Sequence, residues 1–265
     1  MGPPARGHPR LPRHGAPWLT PLSHMERAAY GYDAPGIMLG MLLGGTGAAL
    51  AAALLLAGLR PSGLAWAACV LGLVAGMVPL LGLLMLAYAF VGKRRMRDRM
   101  LDALPWTGQE RVLDVGTGAG LLLVGAAKRL TDGRAVGIDI WSAKDLSGNT
   151  PHAAGRNAAI EGVADRVEVL TGDARRLAFP DGSFDRVLSL LCLHNIEGAA
   201  DRDAACQEIA RVLRPGGIAL IGDYVPTHGY AAALHRAGLQ VGASQACFGT
   251  ALSLMWMVRA DKPAG

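Results

Sequence analysis

Cysteine is scarce in this chain of 265 residues: Cys69, Cys192, Cys206 and Cys247 form no C-x-x-C pair and stand in no spacing with histidine that suggests zinc. That leaves no metal-ligand set to propose and fits a reduced, cytosolic domain whose thiols are small buried apolar groups. Charge is missing from two long stretches. No Asp, Glu, Lys or Arg occurs in residues 35 to 59 or in residues 61 to 92. Each stretch exceeds the roughly 20 apolar residues that cross a bilayer core of about 30 Å, and only RPSG around Arg60 parts them. A cleaved secretory signal would start nearer the N-terminus and would not be followed at once by a second run. The pattern predicts a transmembrane helical hairpin over 35–92.

The flanking charges orient it. Arg6, Arg10, Arg13 and Arg27 precede the first run, Lys93, Arg94, Arg95, Arg97 and Arg99 follow the second, and the connecting loop holds only Arg60. The positive-inside rule then predicts an inner-membrane, multi-pass protein with both ends cytoplasmic. Residues 1 to 99 carry net +7 and residues 100 to 265 net −2, so the overall +5 belongs to the membrane and not to nucleic acid. Residues 1–34 read as a juxtamembrane segment. Its first 24 residues, rich in Pro, Arg and Gly, are expected to be disordered, and Met25 is an alternative start. Gly36, Gly40 and Gly44, with Gly72 and Gly76, have the spacing of closely packed helices. We expect them to pack the hairpin on itself in preference to forming a homo-oligomer. Pro79 is expected to kink the second helix. Residues 93–110 predict a basic amphipathic linker helix with Met96, Met100, Leu101 and Leu104 on one face, stopped by Pro105.

From residue 111 to 265 short β-branched runs alternate with helical segments. RVLDV, RAVGID, RVEVLTGD, FDRVLSLL and GGIALIGD read as strands, with helices centred near residues 125, 156, 207 and 232. Such alternation predicts a parallel sheet with right-handed crossovers. The final segments, LQVGASQACF and ALSLMWMVRA, are parted only by Gly249 and Thr250 and must therefore be antiparallel. The expected fold is α/β: a Rossmann-like seven-stranded sheet, mostly parallel, closed by an antiparallel C-terminal hairpin and preceded by the membrane hairpin.

In such sheets ligands sit beyond the carboxyl ends of the strands. After the first strand comes D-x-G-x-G-x-G, namely Asp114, Gly116, Gly118 and Gly120, with Thr117 among them. It is neither the dinucleotide loop G-x-G-x-x-G nor a phosphate loop ending in Lys-Ser/Thr. Asp114 would repel a phosphate, so the ligand should be cationic; an amino acid ammonium, a ribose and a base together would meet the constraints. Asp139, closing the second strand, can accept two ribose hydroxyls. Ile140 or Trp141 can cover an adenine face, Asp173 can accept from its amino group, and Ala174 offers a backbone amide. The fourth strand brings Leu190 to Asn195 beneath the site.

These motifs, VLDVGTGAG, VGID, TGDA, FPDGSFDRVLSLLCLHNI and RVLRPGG, resemble the class I S-adenosylmethionine-dependent methyltransferases, in particular the branch with the ubiquinone and menaquinone C-methyltransferases. The resemblance covers about residues 105 to 258. It implies that Asp114, Gly116, Gly118 and Gly120 hold the methionine part of S-adenosylmethionine, Asp139 the ribose, and Asp173 and Ala174 the adenine. The membrane hairpin and WSAKDLSGNTPHAAGRNA depart from the common pattern; within the latter, Asp145 and Ser147 are candidates to line cofactor or acceptor.

Methyl transfer asks mainly for alignment. Where the acceptor must also lose a proton, His194 and Asp223, which end adjacent strands, are the candidate bases, with Tyr224, His228 and Tyr230 behind them. YGYDAPG, before the first apolar run, is placed to fold onto the mouth of the site, or else Tyr30, Tyr32 and Asp33 are interface anchors. The leading expectation is a membrane-anchored methyltransferase acting on a small lipophilic acceptor. A soluble acceptor such as a thiol or a metalloid, and a non-catalytic cofactor-binding sensor or assembly subunit, are the alternatives. A nicotinamide-dependent reductase would need a different glycine spacing.

Overall fold

The computed structural model describes residues 27–58 and 63–265. The segment expected to be disordered, Met25 and the loop around Arg60 lie outside the described residues. Two helices open the described chain, α1 (Pro35–Gly58) and α2 (Gly63–Ala87). Both are long and apolar enough to cross a membrane, and little of either is buried in the protein, unlike the core helix of a soluble domain. Leucines such as Leu43, Leu54, Leu73 and Leu80 stand exposed around them. The helices pack together, though not through the glycines expected. A Cβ at Gly36, Gly40, Gly44 or Gly76 would meet nothing within 4 Å, and at Gly72 only an ordinary contact with Ala52. The close approaches are at Gly45, where a Cβ would lie 2.8 Å from Pro79, and Gly82, where it would lie 2.8 Å from Leu42. Four-residue spacing marked a stripe of small residues, but the crossing point selects other glycines. Pro79 lies inside an uninterrupted α2.

The second helix does not stop at the end of its apolar run. It passes through a π-helical turn, Tyr88–Gly92, directly into α3 (Lys93–Asp102). Met96, Met100 and Leu101 of α3 are fully buried and Leu104, just beyond its end, nearly so; the four join one cluster, and the helix ends at Asp102, short of the 93–110 expected. The junction is tight: a Cβ on Gly92 would fall 1.8 Å from the carbonyl oxygen of Ala251, so only glycine fits there. The last turn of the hairpin is thus seated in the domain.

The domain follows as β1 (Arg111–Val115), α4 (Leu121–Ala127), β2 (Arg134–Asp139), α5 (Pro151–Ile160), β3 (Val167–Thr171), β4 (Phe184–Leu190), α6 (Ala199–Val212), β5 (Leu213–Asp223), α7 (His228–Arg236), β6 (Gln240–Val241), β7 (Gln245–Ala246), α8 (Phe248–Ala251) and β8 (Trp256–Asp261). The sheet order is β3-β2-β1-β4-β5-β8-β6, with β7 also pairing β8. β1 to β5 are parallel and β8 is antiparallel to its neighbours. Alternate residues of each strand feed opposite cores. Leu113, Val115, Val136 and Ile138 join α6 and α7 on one face, and Val112 and Ala135 join α3, α4 and α8 on the other.

The closing hairpin differs from expectation in detail. Its first strand is broken into β6 and β7, so eight strands are present where seven were expected, and α8 occupies the place of the tight turn. Between the two pieces Ser244 shares a 2.6 Å hydrogen bond with the hydroxyl of buried Thr227, which ties this part of the edge to the start of α7.

Candidate cofactor and acceptor site

The strand order reverses beside β1, with β2 on one side and β4 on the other, and such a switch point opens a crevice at the carboxyl ends. The β1–α4 loop lies there. Gly116, Gly118 and Gly120 all have positive φ, at 74°, 54° and 86°, a region costly to side chains. The backbone N–H groups of Gly116 and Thr117 both donate to the carbonyl of Ile138, at 2.9 Å each. Space is as restrictive as conformation, since a Cβ on Gly116 would fall 2.4 Å from Cys192 Sγ and one on Gly118 2.8 Å from Leu146 Cδ2.

Asp114 is 2% exposed. Its Oδ2 accepts the Thr117 hydroxyl at 2.8 Å and the backbone N–H of Leu123 at 2.9 Å, fastening the loop to α4. Burial pushes its carboxyl up to about 7, against the pull of those two hydrogen bonds. An acid held in this way gains its charge most readily beside a cation. Asp139 accepts the N–H of Gly118 at 2.9 Å on one oxygen, and that of Trp141 at 2.7 Å and the Asn149 amide at 3.2 Å on the other.

These groups face a cavity of about 350 Å³. Of the residues singled out from sequence, Asp114, Gly116, Thr117, Gly118, Asp139, Ile140, Asp173, Ala174 and Leu190 line it. Gly120 serves instead as the left-handed N-cap of α4. Trp141 does not line the cavity: its backbone is left-handed at φ 63°, and its indole N–H donates to Thr171 at 2.8 Å. Ile140, 66% exposed, is the residue left at that wall. Arg175 was missed. It lines the cavity, clasps Asp173 through two nitrogens at 2.7 to 3.1 Å and reaches Asp201 at 2.7 Å. That clasp holds the Asp173 carboxyl below the usual range.

His194 and Asp223, the candidate bases, are not among the residues that line the cavity. Asp223 is 0% exposed. It accepts the Tyr230 hydroxyl at 3.0 Å and the backbone N–H groups of Tyr224 at 2.8 Å and His194 at 3.3 Å. The His194 Nδ1 lies 2.8 Å from Asp223 Oδ1 but forms no aligned hydrogen bond, and its ring packs edge-on against Tyr224. Strand ends were correctly read as adjacent, but both side chains turn into a buried network. His228 does not line the cavity either.

Residues 28–34 do fold onto the site, as a strap. Asn157 takes the backbone N–H of Ala29 at 3.0 Å and donates to its carbonyl at 2.8 Å. Tyr32 exchanges hydrogen bonds with Ser147, and Ala34 donates to the carbonyl of Asp145 at 2.9 Å. Lys93, 4% exposed, donates to the carbonyls of Tyr30 and Gly31 and lies 3.3 Å from Asp33 Oδ2. Burial pulls its ammonium below the usual lysine range, with Asp33 opposing. Tyr30, Asp33, Tyr88, Lys93 and Asp145 line the cavity, whereas Ser147 is spent on the strap.

Residues 113–221 match the family described as a methyltransferase domain. The chain is 37% identical over 131 residues to 27-O-demethylrifamycin SV methyltransferase of Amycolatopsis mediterranei, covering 49% of this chain and 44% of that protein. It is 33% identical over 138 residues to demethylmenaquinone methyltransferase of Thermus thermophilus, covering 52% and 58%. The chain thus spans about half the length of the curated relatives it matches. Among solved structures, the [4+2]-cyclase SpnF superposes with TM-score 0.54 at 21% identity over 65% of this chain and 81% of that one. An S-adenosylmethionine-dependent methyltransferase from Aquifex aeolicus gives 0.50 at 22% over 62% and 88%. Residues 113–221 thus match a methyltransferase domain on a Rossmann-like fold, and such a domain implies S-adenosylmethionine as methyl donor. The site fits that donor, since buried Asp114 suits a cationic group and Asp139 lies at the adjoining wall. The strap, the hairpin and Lys93 fall outside the matched range.

Proposed function

We propose that the protein transfers the methyl group of S-adenosylmethionine to a small, mainly apolar acceptor at a membrane surface. The observation that carries this reading is a cavity with two builders: its lining joins the methyltransferase loop to the strap and to the turn leaving the apolar hairpin. The names of relatives agree, since demethylmenaquinone and a demethylrifamycin are the acceptors those names specify. In this reading the glycine loop and Asp114 hold the methionine part, Asp139 the ribose, and Ile140, Asp173 and Ala174 the adenine. The bound donor supplies an activated methyl on a good leaving group, and the protein adds in-line alignment, worth on the order of several kcal/mol.

We place the apolar helices of the 35–92 hairpin, α1 and α2, in the membrane with both termini cytoplasmic, so that the domain, in which the turn Tyr88–Gly92 is seated, meets a cytosolic cofactor. A fold alone does not establish chemistry, as the cyclase on the same scaffold illustrates. The test is calorimetry on the detergent-solubilised protein followed by transfer of label from the donor into a membrane lipid extract. Binding of S-adenosylmethionine and S-adenosylhomocysteine without NAD, with label recovered in a small lipophilic product, is expected. NAD binding without either adenosyl ligand would sink the assignment. Label appearing only with a water-soluble thiol would replace the acceptor.

A further inference from the structure

With His194 and Asp223 turned away, the cavity needs another group if its acceptor is to lose a proton. Asp33 is such a group. It lines the cavity from the strap, its side chain is 30% exposed, and among the described residues its charged partner is Lys93 at 3.3 Å. Lys93 has three donors, and all three are engaged, on the Tyr30 and Gly31 carbonyls and on Asp33 Oδ2. The lysine therefore acts as the strap's fastener and as a fixed counter-charge, not as a ligand-seeking cation. Among the described residues no N–H or O–H other than that of Lys93 donates to Asp33, which leaves its second oxygen for a ligand. Tyr88, buried on the cavity wall, lies close enough to feel the charge of Asp33; Tyr30 also lines the cavity and turns its hydroxyl to Glu161 at 3.3 Å. The strap also meets the donor loop through Leu146: a Cβ on Gly31 would lie 3.0 Å from Leu146 Cδ1, and one on Gly118 2.8 Å from its Cδ2.

We propose that Asp33, with Lys93, Tyr30 and Tyr88, forms the acceptor subsite, and that it takes a phenolic hydroxyl on an otherwise apolar molecule. This rests on the methyltransferase reading above and names the substrate class of that site. The rings offer flat apolar walls and the carboxylate a single hydrogen-bond acceptor. A phenol gives up its proton near pH 10, far more readily than an aliphatic alcohol does, so a carboxylate at hydrogen-bond distance selects the phenol. In the transfer the phenolic oxygen forms the bond to the methyl carbon as the carbon–sulfur bond breaks with its electron pair passing to sulfur. The proton goes to Asp33. The sulfonium and the carboxylate thereby both become neutral.

The experiment uses the full chain in lipid nanodiscs, saturated with S-adenosylhomocysteine and titrated with 4-dodecylphenol, its methyl ether and dodecylbenzene, against empty nanodiscs. The phenol should bind at least tenfold more tightly than the ether or the hydrocarbon. Asp33→Asn should abolish that preference while S-adenosylhomocysteine affinity stays within twofold, because Lys93 keeps its two carbonyl partners and the strap stays in place. With labelled donor, wild type should form the ether and Asp33→Asn should do so at least 100-fold more slowly. Arg236→Gln, at an exposed ion pair with Asp203 that lies outside the cavity lining, should retain the phenol preference and provides a folded comparison. Equal binding of phenol and ether, no binding of either, or a preference that survives in Asp33→Asn would overturn the subsite. Failure of wild type to bind S-adenosylhomocysteine would instead overturn the methyltransferase reading.

Discussion

The carboxylate of Asp139 accepts the backbone N–H of Gly118 at 2.9 Å, so the acid that closes β2 also fixes the loop that follows β1. A ribose placed there shares an acceptor already in use, and removing the carboxylate disturbs two things together. Asp139→Ala should weaken S-adenosylhomocysteine binding about 10- to 150-fold, from the roughly 1.5–3 kcal/mol of a hydrogen bond to a charged group. Asp139→Asn keeps an acceptor oxygen for Gly118 and should fall between. Calorimetry reads the affinity and far-UV circular dichroism the fold. An Ala variant that is folded and binds within twofold of wild type shows that Asp139 holds no ribose.

Asp114 makes cofactor affinity depend on pH. Its carboxyl titrates at about 7 in the folded protein and at about 3.9 in an unfolded chain. The protonated form is thus favoured by folding: the stability this contributes is complete below about pH 4 and is lost as pH rises through 7. A cationic donor has the opposite preference, since it binds the carboxylate and releases a proton. Its affinity should fall as pH drops from 8 to 6, by up to about tenfold per unit, equivalent to roughly 1.4 kcal/mol. Titrations in buffers of different ionisation enthalpy should show the released proton near pH 6.5, and Asp114→Asn should flatten the profile.

Much of the domain was legible because it depends on local pattern. RVLDV and RAVGID appear as strands with the bounds read from them, and the glycines of the loop sit at positive φ as their spacing required. What escaped depends on distant or directional contacts. No periodicity shows that Ala29 bonds to Asn157, 128 residues away, or that Lys93 reaches back to Tyr30. Position at a strand end placed Asp223 correctly, whereas His194 lies beyond β4 in the short turn Leu193–Asn195, and for neither did position fix which way the side chain points. Trp141 carried the right chemistry for an adenine wall, yet its left-handed backbone sends the indole to Thr171. The Asp-Ala-Arg run at 173 to 175 did hold a signal for Arg175, because a cation two residues after a carboxylate in a turn can fold back on it.

The buried network around Asp223 should govern stability and leave cofactor binding alone. Tyr230→Phe removes one hydrogen bond to a buried carboxylate and should cost about 1.5–3 kcal/mol. His194→Ala should cost packing against Tyr224 and little else, because its backbone N–H still reaches Asp223. Thermal unfolding in detergent should show the first loss clearly, with S-adenosylhomocysteine affinity within twofold for both variants. A large loss of turnover in His194→Ala with unchanged stability would return that residue to catalysis.

The hairpin is more than a tether if the strap belongs to the site, and truncation separates the two roles. Deleting residues 1 to 92 removes Tyr30, Asp33 and Tyr88 from the cavity and strips Asn157 of its two bonds to Ala29. The loop, Asp114 and Asp139 remain. The shortened chain should therefore still bind S-adenosylhomocysteine, weakened by the loss of the strap's support at Leu146 and Ser147. Turnover should fall on a membrane-dispersed acceptor and on a soluble one alike. A tether that supplied only effective concentration would instead leave the soluble acceptor unaffected. Joining residues 25–36 directly to Lys93 tests the strap by itself, since Asp33 and Lys93 are already in contact in the folded protein. If that fusion regains activity on the soluble acceptor but not on vesicles, the strap completes the site and the apolar helices deliver it to the membrane. Full activity of the simple truncation on a soluble acceptor would show that residues 28–34 merely cover the cavity.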